Sequence, residues 1–134
     1  MENGERLFAL RGAVQCENET GDIKKQVTTL YDELLERNNL KEENLVSVIF
    51  SVTADLDAKN PASALREEGR AGEAALFVTR EAGFEGSLER VIRVLVHCYL
   101  PKDSAPVHVY RNGAEILRPD RNLQKPNQGF RGIL

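Results

Sequence analysis

The chain has 134 residues, the size of one domain, with 41% apolar and 29% charged residues, a balance that supports a packed core and excludes global disorder. Its 18 Lys and Arg against 21 Asp and Glu leave a net charge of -3, which excludes a protein that coats nucleic acid through excess basic charge. There is no apolar run near the ~18 residues of a membrane span, no signal-peptide pattern in MENGERLF, and only two cysteines, so a small, soluble, cytoplasmic domain is expected.

Leu7-Phe8-Ala9-Leu10 reads as a first strand leading into Arg11-Gly12-Ala13-Val14. A polar connection from Glu17 to Asp22 follows. Ile23, Val27, Leu30, Tyr31, Leu34 and Leu35 then recur at helical spacing, and Asn38-Asn39 supplies a stop because Asn tolerates the left-handed conformation. The β-branched run from Leu45 to Thr53 reads as a central strand, apolar on both faces. Asn60-Pro61 predicts the start of a short helix, with Asn as cap and Pro at the first helical position, and Gly69 closes it.

Ala74 to Thr79 reads as a third strand ending in Arg80-Glu81. After a turn at Gly83 and Gly86, Ser87 is a suitable cap for a third helix. Leu88, Val91, Ile92, Leu95 and Tyr99 would share one face of that helix, with Arg90, Arg93 and His97 on other sides. The runs Val107 to Tyr110 and Ala114 to Leu117 flank Arg111-Asn112-Gly113, a strong hairpin signal. The order βαβαβαββ predicts an α+β domain over residues 1–123, a mixed sheet with helices on one face, and a mobile tail over 124–134. Three helices leave the other sheet face bare, which points to a closed homo-oligomer.

Charged residues fall at strand ends, where a rigid frame can present them to a ligand: Arg11, Glu81 and Arg118. Each alone is equally compatible with a solvated surface charge. His97 and His108 lack partners at metal-ligand spacing, so neither a metal nor any other cofactor is expected. Neither cysteine carries the signature of an activated thiolate, and no phosphate-loop, nucleophile-elbow or dinucleotide motif is present. Residues alone thus predict a cofactor-free α+β oligomer whose arginines take a small anionic ligand.

Several motifs occur together in order: Leu10-Arg11-Gly12-Ala13; Thr53-Ala54-Asp55-Leu56 with Pro61-Ala62 and Arg66; Arg80-Glu81; Ser87-Leu88 with Arg90 to Leu95; Val107 to Tyr110; and Leu117-Arg118-Pro119-Asp120. This ordered set, spanning Leu10 to Asp120, resembles the AroH class of monofunctional chorismate mutases. The resemblance implies a homotrimeric pseudo-α/β-barrel with active sites between subunits, no cofactor, and isomerisation of chorismate to prephenate on the route to phenylalanine and tyrosine. No nucleic-acid or membrane partner is implied.

The same resemblance implies individual roles. Arg93 would donate to the ether oxygen of the breaking bond, and Glu81 would hold the ring hydroxyl. Arg11 and Tyr110 would bind the enolpyruvyl carboxylate. Arg66, from a neighbouring subunit, would guide the dianion at the cleft mouth, and Arg118 would close over it; Val78 and Leu117 complete the substrate-contacting set. Three positions depart from the family pattern. Val78 stands where a Cys or Ser often bonds the ring hydroxyl, Asn60 where an aromatic is common, and Ser63 where some members carry lysine; weaker substrate affinity is expected. The competing expectations are a small imine deaminase or ligand-binding trimer on a related α+β fold, and a non-enzymatic trimer.

Overall fold

The computed structural model describes residues 4–117, so the expected tail over 124–134 and Arg118 lie outside the described residues. The elements are β1 (Glu5–Gln15), α1 (Thr20–Arg37), β2 (Leu45–Val52), α2 (Pro61–Glu67), β3 (Ala75–Arg80), β4 (Val91–Pro101) and β5 (Val109–Arg111). Short 3-10 turns cover Glu42–Asn44 and Ala114–Leu117. The strands form one mixed five-stranded sheet in the order β3-β2-β4-β1-β5. β4 runs antiparallel to both β1 and β2, while β3 and β5 join the edges in parallel. The fold is α+β, as expected. Among the described residues no helix is long and apolar enough to cross a membrane.

Both helices form where their sequence signals lie. α1 buries Ile23, Val27, Leu30, Tyr31 and Leu34. Asn39 ends it at φ 51, and the Asn38 amide donates to the carbonyls of Leu34 (2.8 Å) and Val107 (2.9 Å). The Asn38 side-chain oxygen accepts from the Val107 N–H at 2.8 Å, so the end of α1 also fixes the approach to β5. At α2, the Asn60 side chain accepts from the N–H groups of Ala62 and Ser63 and satisfies free donors of the first turn. Gly69, at φ 79, follows the helix.

Two local expectations are overturned. Residues 91–101 form no third helix; they are β4, paired along its whole length with β1 from Glu5↔Pro101 to Gln15↔Val91. The apolar residues satisfy a helical spacing, but they also alternate. Ile92, Val94, Val96, Cys98 and Leu100 are buried, while Arg93, Leu95, His97 and Tyr99 are half-buried on the other face. β-Branching at Val91, Ile92, Val94 and Val96 favours the strand. Ser87 caps nothing; its N–H closes a turn onto Phe84.

The expected hairpin also fails in its second half. Asn112 and Gly113 do take positive φ, 51 and 100, but the chain then enters a 3-10 turn. β5 pairs instead with β1, in parallel, at Gly12↔Val109, Ala13↔Tyr110 and Val14↔Arg111. Ala114 is fully buried beside Ala13 and Val91, so its burial draws the chain inward from the sheet edge.

The helices cover one face of the sheet. Phe8, Leu10 and Val14 of β1, Val48, Phe50 and Val52 of β2, and the even residues of β4 pack with α1 in the main core. β2 is therefore two-faced, with Ser47, Ile49 and Ser51 on the other side, which corrects the expectation that it is apolar throughout. Gly12 permits the close approach of α1 and β5. A Cβ there would lie 3.0 Å from the Val109 carbonyl oxygen and 3.2 Å from Leu30 Cδ1 and Leu34 Cδ1. Gly12→Ala is expected to lower stability by about 1–3 kcal/mol through this overpacking, measured by denaturant unfolding.

Burial pushes both thiols, Cys16 and Cys98, up to about 11. At Cys16 the carboxylates of Asp22 and Glu17 add to the effect of burial. Because an unfolded thiol ionises near 9.0, the native state holds these protons longer, and stability falls as pH rises from 9.0 toward 11. Replacing both cysteines with alanine should flatten the stability profile in that window, measured by unfolding at successive pH values; an unchanged slope would contradict this origin.

Candidate active site

The register of the strands aligns side chains on the face that the helices leave open. Tyr110 of β5 stands beside Ala13 of β1, Ala13 beside Arg93 of β4, Arg93 beside Ser51 of β2, and Ser51 beside Thr79 of β3. The adjacent row places Arg11 beside Leu95, Leu95 beside Ile49, and Ile49 beside Phe77. Side chains two residues apart share a sheet face, so the two rows form one surface. A cavity of about 270 Å³ opens on it, with Arg11, Arg93, Tyr110 and Ser51 as its polar walls and Ala13, Ile49 and Leu95 as an apolar floor.

Arg93 is held by Glu81. Its Nε donates to Glu81 Oε1 at 3.0 Å, and the Ser51 hydroxyl donates to the same oxygen at 3.1 Å. Only 17% of the Glu81 side chain and 34% of that of Arg93 is exposed, so the pair sits where water screens it incompletely. With Nε engaged, the terminal NH2 donors of Arg93, a wall residue of the cavity, are left for a ligand. Glu81 lies just past β3, and its N–H donates to the Val52 carbonyl at 2.8 Å.

Arg11 is the second cation of the cavity, and among the described residues it forms no ion pair. Its backbone N–H donates to His108 Nδ1 at 3.0 Å, at the level where β5 begins to pair with β1. Two half-buried guanidinium groups above an apolar floor make a receptor for a small anion carrying apolar surface. Among the described residues, no three His, Cys, Asp or Glu side chains converge as a metal site would require.

The structure brings Arg11, Tyr110, Arg93 and Glu81 together, sets Leu117 next to them, and places Arg66 and Val78 elsewhere. Leu117 packs with Tyr110 against Ala13, Val91 and Ala114, beside the cavity. Arg66 lies away from it. Its guanidinium donates to the carbonyls of Ala71 (3.0 Å) and Ala74 (2.9 Å), bracing the connection into β3. The Val78 side chain stands beside Phe50 and packs against the helix-side core, on the opposite face from Arg93. A polar side chain at 78 would point the same way, so the weaker affinity attributed to this valine has no support in the geometry. Ser51 and His108 join the site without being anticipated from the sequence. The period-two spacing of Ser47, Ile49 and Ser51 is the available signal for the first. For His108 no sequence signal exists, because its contact with Arg11 depends on β5 joining β1.

The family described as chorismate mutase type I matches residues 7–121. The chorismate mutase AroH of Bacillus subtilis is 34% identical over 122 residues, covering 89% of this chain and 95% of that protein. The chorismate mutase AroH of Thermus thermophilus is 41% identical over 115 residues, covering 83% of this chain and 93% of its own. A solved chorismate mutase from Clostridium thermocellum superposes with a TM-score of 0.74 at 40% identity, covering 81% of this chain and 98% of that one. The deaminase and ligand-binding alternatives find no support in these comparisons. With a family match across nearly all of its length, and relatives that it covers almost end to end, the chain belongs to the type I chorismate mutases.

Proposed function

We propose that this protein isomerises chorismate to prephenate in aromatic amino-acid biosynthesis, using the cavity on the open sheet face. The observation that carries the reading is the half-buried Arg93, fixed through Nε by Glu81, with Arg11 across an apolar floor. Chorismate is a dianion with a flexible enolpyruvyl ether. Its rearrangement breaks a C–O bond and forms a C–C bond within one molecule. No proton, electron or leaving group is exchanged with the protein. Folding the side chain over the ring supplies the orientation that such a reaction needs. As the C–O bond lengthens, negative charge grows on the ether oxygen, and the terminal donors of Arg93 stabilise it without reorganising.

Glu81 has two functions in this scheme: it fixes Arg93 and offers its other oxygen to the ring hydroxyl. Arg11 and Tyr110 take the enolpyruvyl carboxylate at the other end of the cavity. Arg66 and Arg118 belong to this reading as groups at the cleft mouth, with Arg66 reaching the substrate from a neighbouring copy and Leu117 closing the apolar side. Val78 would contribute backbone, since its side chain packs into the core.

The assembly in this reading is a homotrimer. Its support is the open face, where Phe77 is 65% and Leu7 47% exposed beside Ile49, Leu95 and Tyr99. Apolar surface of that kind is covered in stable proteins by another chain. A cytoplasmic location accords with the two buried free thiols, Cys16 and Cys98.

Pure protein should consume chorismate, followed by loss of its ultraviolet absorbance, at a rate unaffected by a metal chelator. Absence of turnover at any substrate concentration would overturn the assignment. Arg93→Ala should lower kcat by about 10²–10³-fold with the fold retained, by analogy with the loss of one preorganised oxyanion donor. Light scattering should give about three times the 15.0 kDa chain mass; a monomer with full activity would exclude the shared cleft.

A further inference from the structure

We infer that the turn Thr53-Ala54-Asp55-Leu56 is the positioning device of the site, setting the Glu81–Arg93 pair from behind by gripping the ends of both strands that carry it. This inference rests on the assignment of Arg93 to the reacting oxygen. None of its four residues lines the cavity. It leaves β2 at its C-terminal end, where β3 finishes beside it and β4 begins.

Its side chains act on β4. Asp55 accepts the Arg90 N–H with both carboxylate oxygens, each at 3.1 Å. The Thr53 hydroxyl accepts the Val91 N–H at 3.0 Å and donates to Asp55 Oδ1 at 2.6 Å. The Thr53 N–H donates in turn to the Val91 carbonyl at 3.1 Å. Arg90 is held at φ 51, a left-handed conformation that few non-glycine residues adopt, so the chain reverses sharply just before β4. Arg93 comes two residues after Val91, on the open face.

The carbonyls of the same turn act on β3. Arg80 donates to the carbonyl oxygens of Thr53 (2.9 Å) and Leu56 (3.2 Å), next to Glu81 in sequence. Glu81 lies beyond the last ladder pair, Val52↔Arg80, so these bonds and its own N–H to Val52 are what hold that end. One four-residue turn therefore sets where the carboxylate and the guanidinium stand relative to each other. A shift of the turn moves both partners of the 3.0 Å contact, and with them the terminal donors of Arg93. Misplacement of about 1 Å at a reacting centre costs on the order of 10²-fold in rate. The sequence motif is explained by this arrangement: Thr supplies an acceptor and a donor on one oxygen, and only a carboxylate of Asp length offers two acceptors to a single backbone N–H.

The test compares Asp55→Ala, Asp55→Asn, Thr53→Val, Arg93→Ala and the double variant Asp55→Ala/Arg93→Ala in the full chain, with chorismate as substrate. Asp55→Ala is expected to lower kcat by about 10–100-fold while KM changes by less than about 3-fold. Asp55→Asn, whose amide oxygen still accepts the Arg90 N–H, should recover most of that loss. Thr53→Val should lower kcat alone by about 3–10-fold, and with Asp55→Asn it decides the matter if Asp55→Ala does not fold. The double variant should be within about 2-fold of Arg93→Ala, because Asp55 acts through Arg93. Full kcat in folded Asp55→Ala or Thr53→Val, or independent multiplication of the losses in the double variant, would overturn the inference while leaving the active-site assignment standing. Full turnover by Arg93→Ala would instead remove the assignment, and this inference with it.

Discussion

The contact between Glu81 Oε1 and Arg93 Nε is the constraint on which the site depends. Arg93 is half removed from water, so its ion pair is screened less than one on the surface, and the position of its partner decides where the charge is presented. If a carboxylate clasped both terminal NH2 groups, it would satisfy the cation and disable it. Glu81 instead takes the Nε edge, and Ser51 shares the same carboxylate oxygen. The positive charge is thereby anchored and yet directed outward. That geometry requires Arg93 on a central strand, Ser51 directly beside it, and Glu81 at the end of the next strand but one.

The sheet order β3-β2-β4-β1-β5 meets these requirements through pairing rather than proximity in sequence. Arg11, Ser51, Glu81, Arg93 and Tyr110 are drawn from five separate strands or strand ends, and the strand register fixes their rows. Gly12, squeezed between α1 and the Val109 carbonyl, lets β5 lie close enough to bring Tyr110 beside Ala13. The small side chain of Ala13, in turn, keeps the floor between Tyr110 and Arg93 low. Packing on the covered face thus sets the dimensions of the cavity on the open one.

Much of this is legible in the residues, and the failures have a common cause. α1 and α2 carry their own signals, namely a 3.6-residue apolar stripe and an Asn-Pro start, because helices are stabilised by contacts within a few residues. β4 is different. Its sequence supports both a helical stripe and an alternation, and the choice is made by two distant partners, β1 and β2, which no local window contains. The same holds for β5: Asn112-Gly113 turns as its residues dictate, but the strand before it pairs with β1 rather than with the segment from Ala114 to Leu117. At the site, position at a strand end marks Arg11 and Glu81 as candidates, whereas a family pattern and not periodicity singles out Arg93 and Tyr110. Expecting Arg93 on a helix instead of a strand does not change which residue is picked out, since the pattern carries the residue and not the element. Ser51 and His108 escape because their importance lies in what they touch, and touching is a property of register.

In the proposed trimer one chain would present only part of a binding site, and the division of the sheet into a covered and an open face accords with that. Arg11, Arg93, Glu81 and Tyr110 gather in one copy, whereas Arg66 is turned to the carbonyls that precede β3. Phe77, in the same cross-sheet row as Ile49, Leu95 and Arg11, stands largely in solvent at the edge of the apolar floor. A floor that ends in an exposed phenylalanine does not exclude water from a reacting dianion. In the proposed mechanism, electrostatic stabilisation by Arg93 would gain most in a water-poor cleft, so that chemistry and the uncovered apolar face call for the same remedy. A second copy seated on this face would bury Phe77, dry the cavity and raise the value of a fixed charge at one stroke. In the proposed trimer, assembly would then be a term in the rate and not only in the stability of the fold.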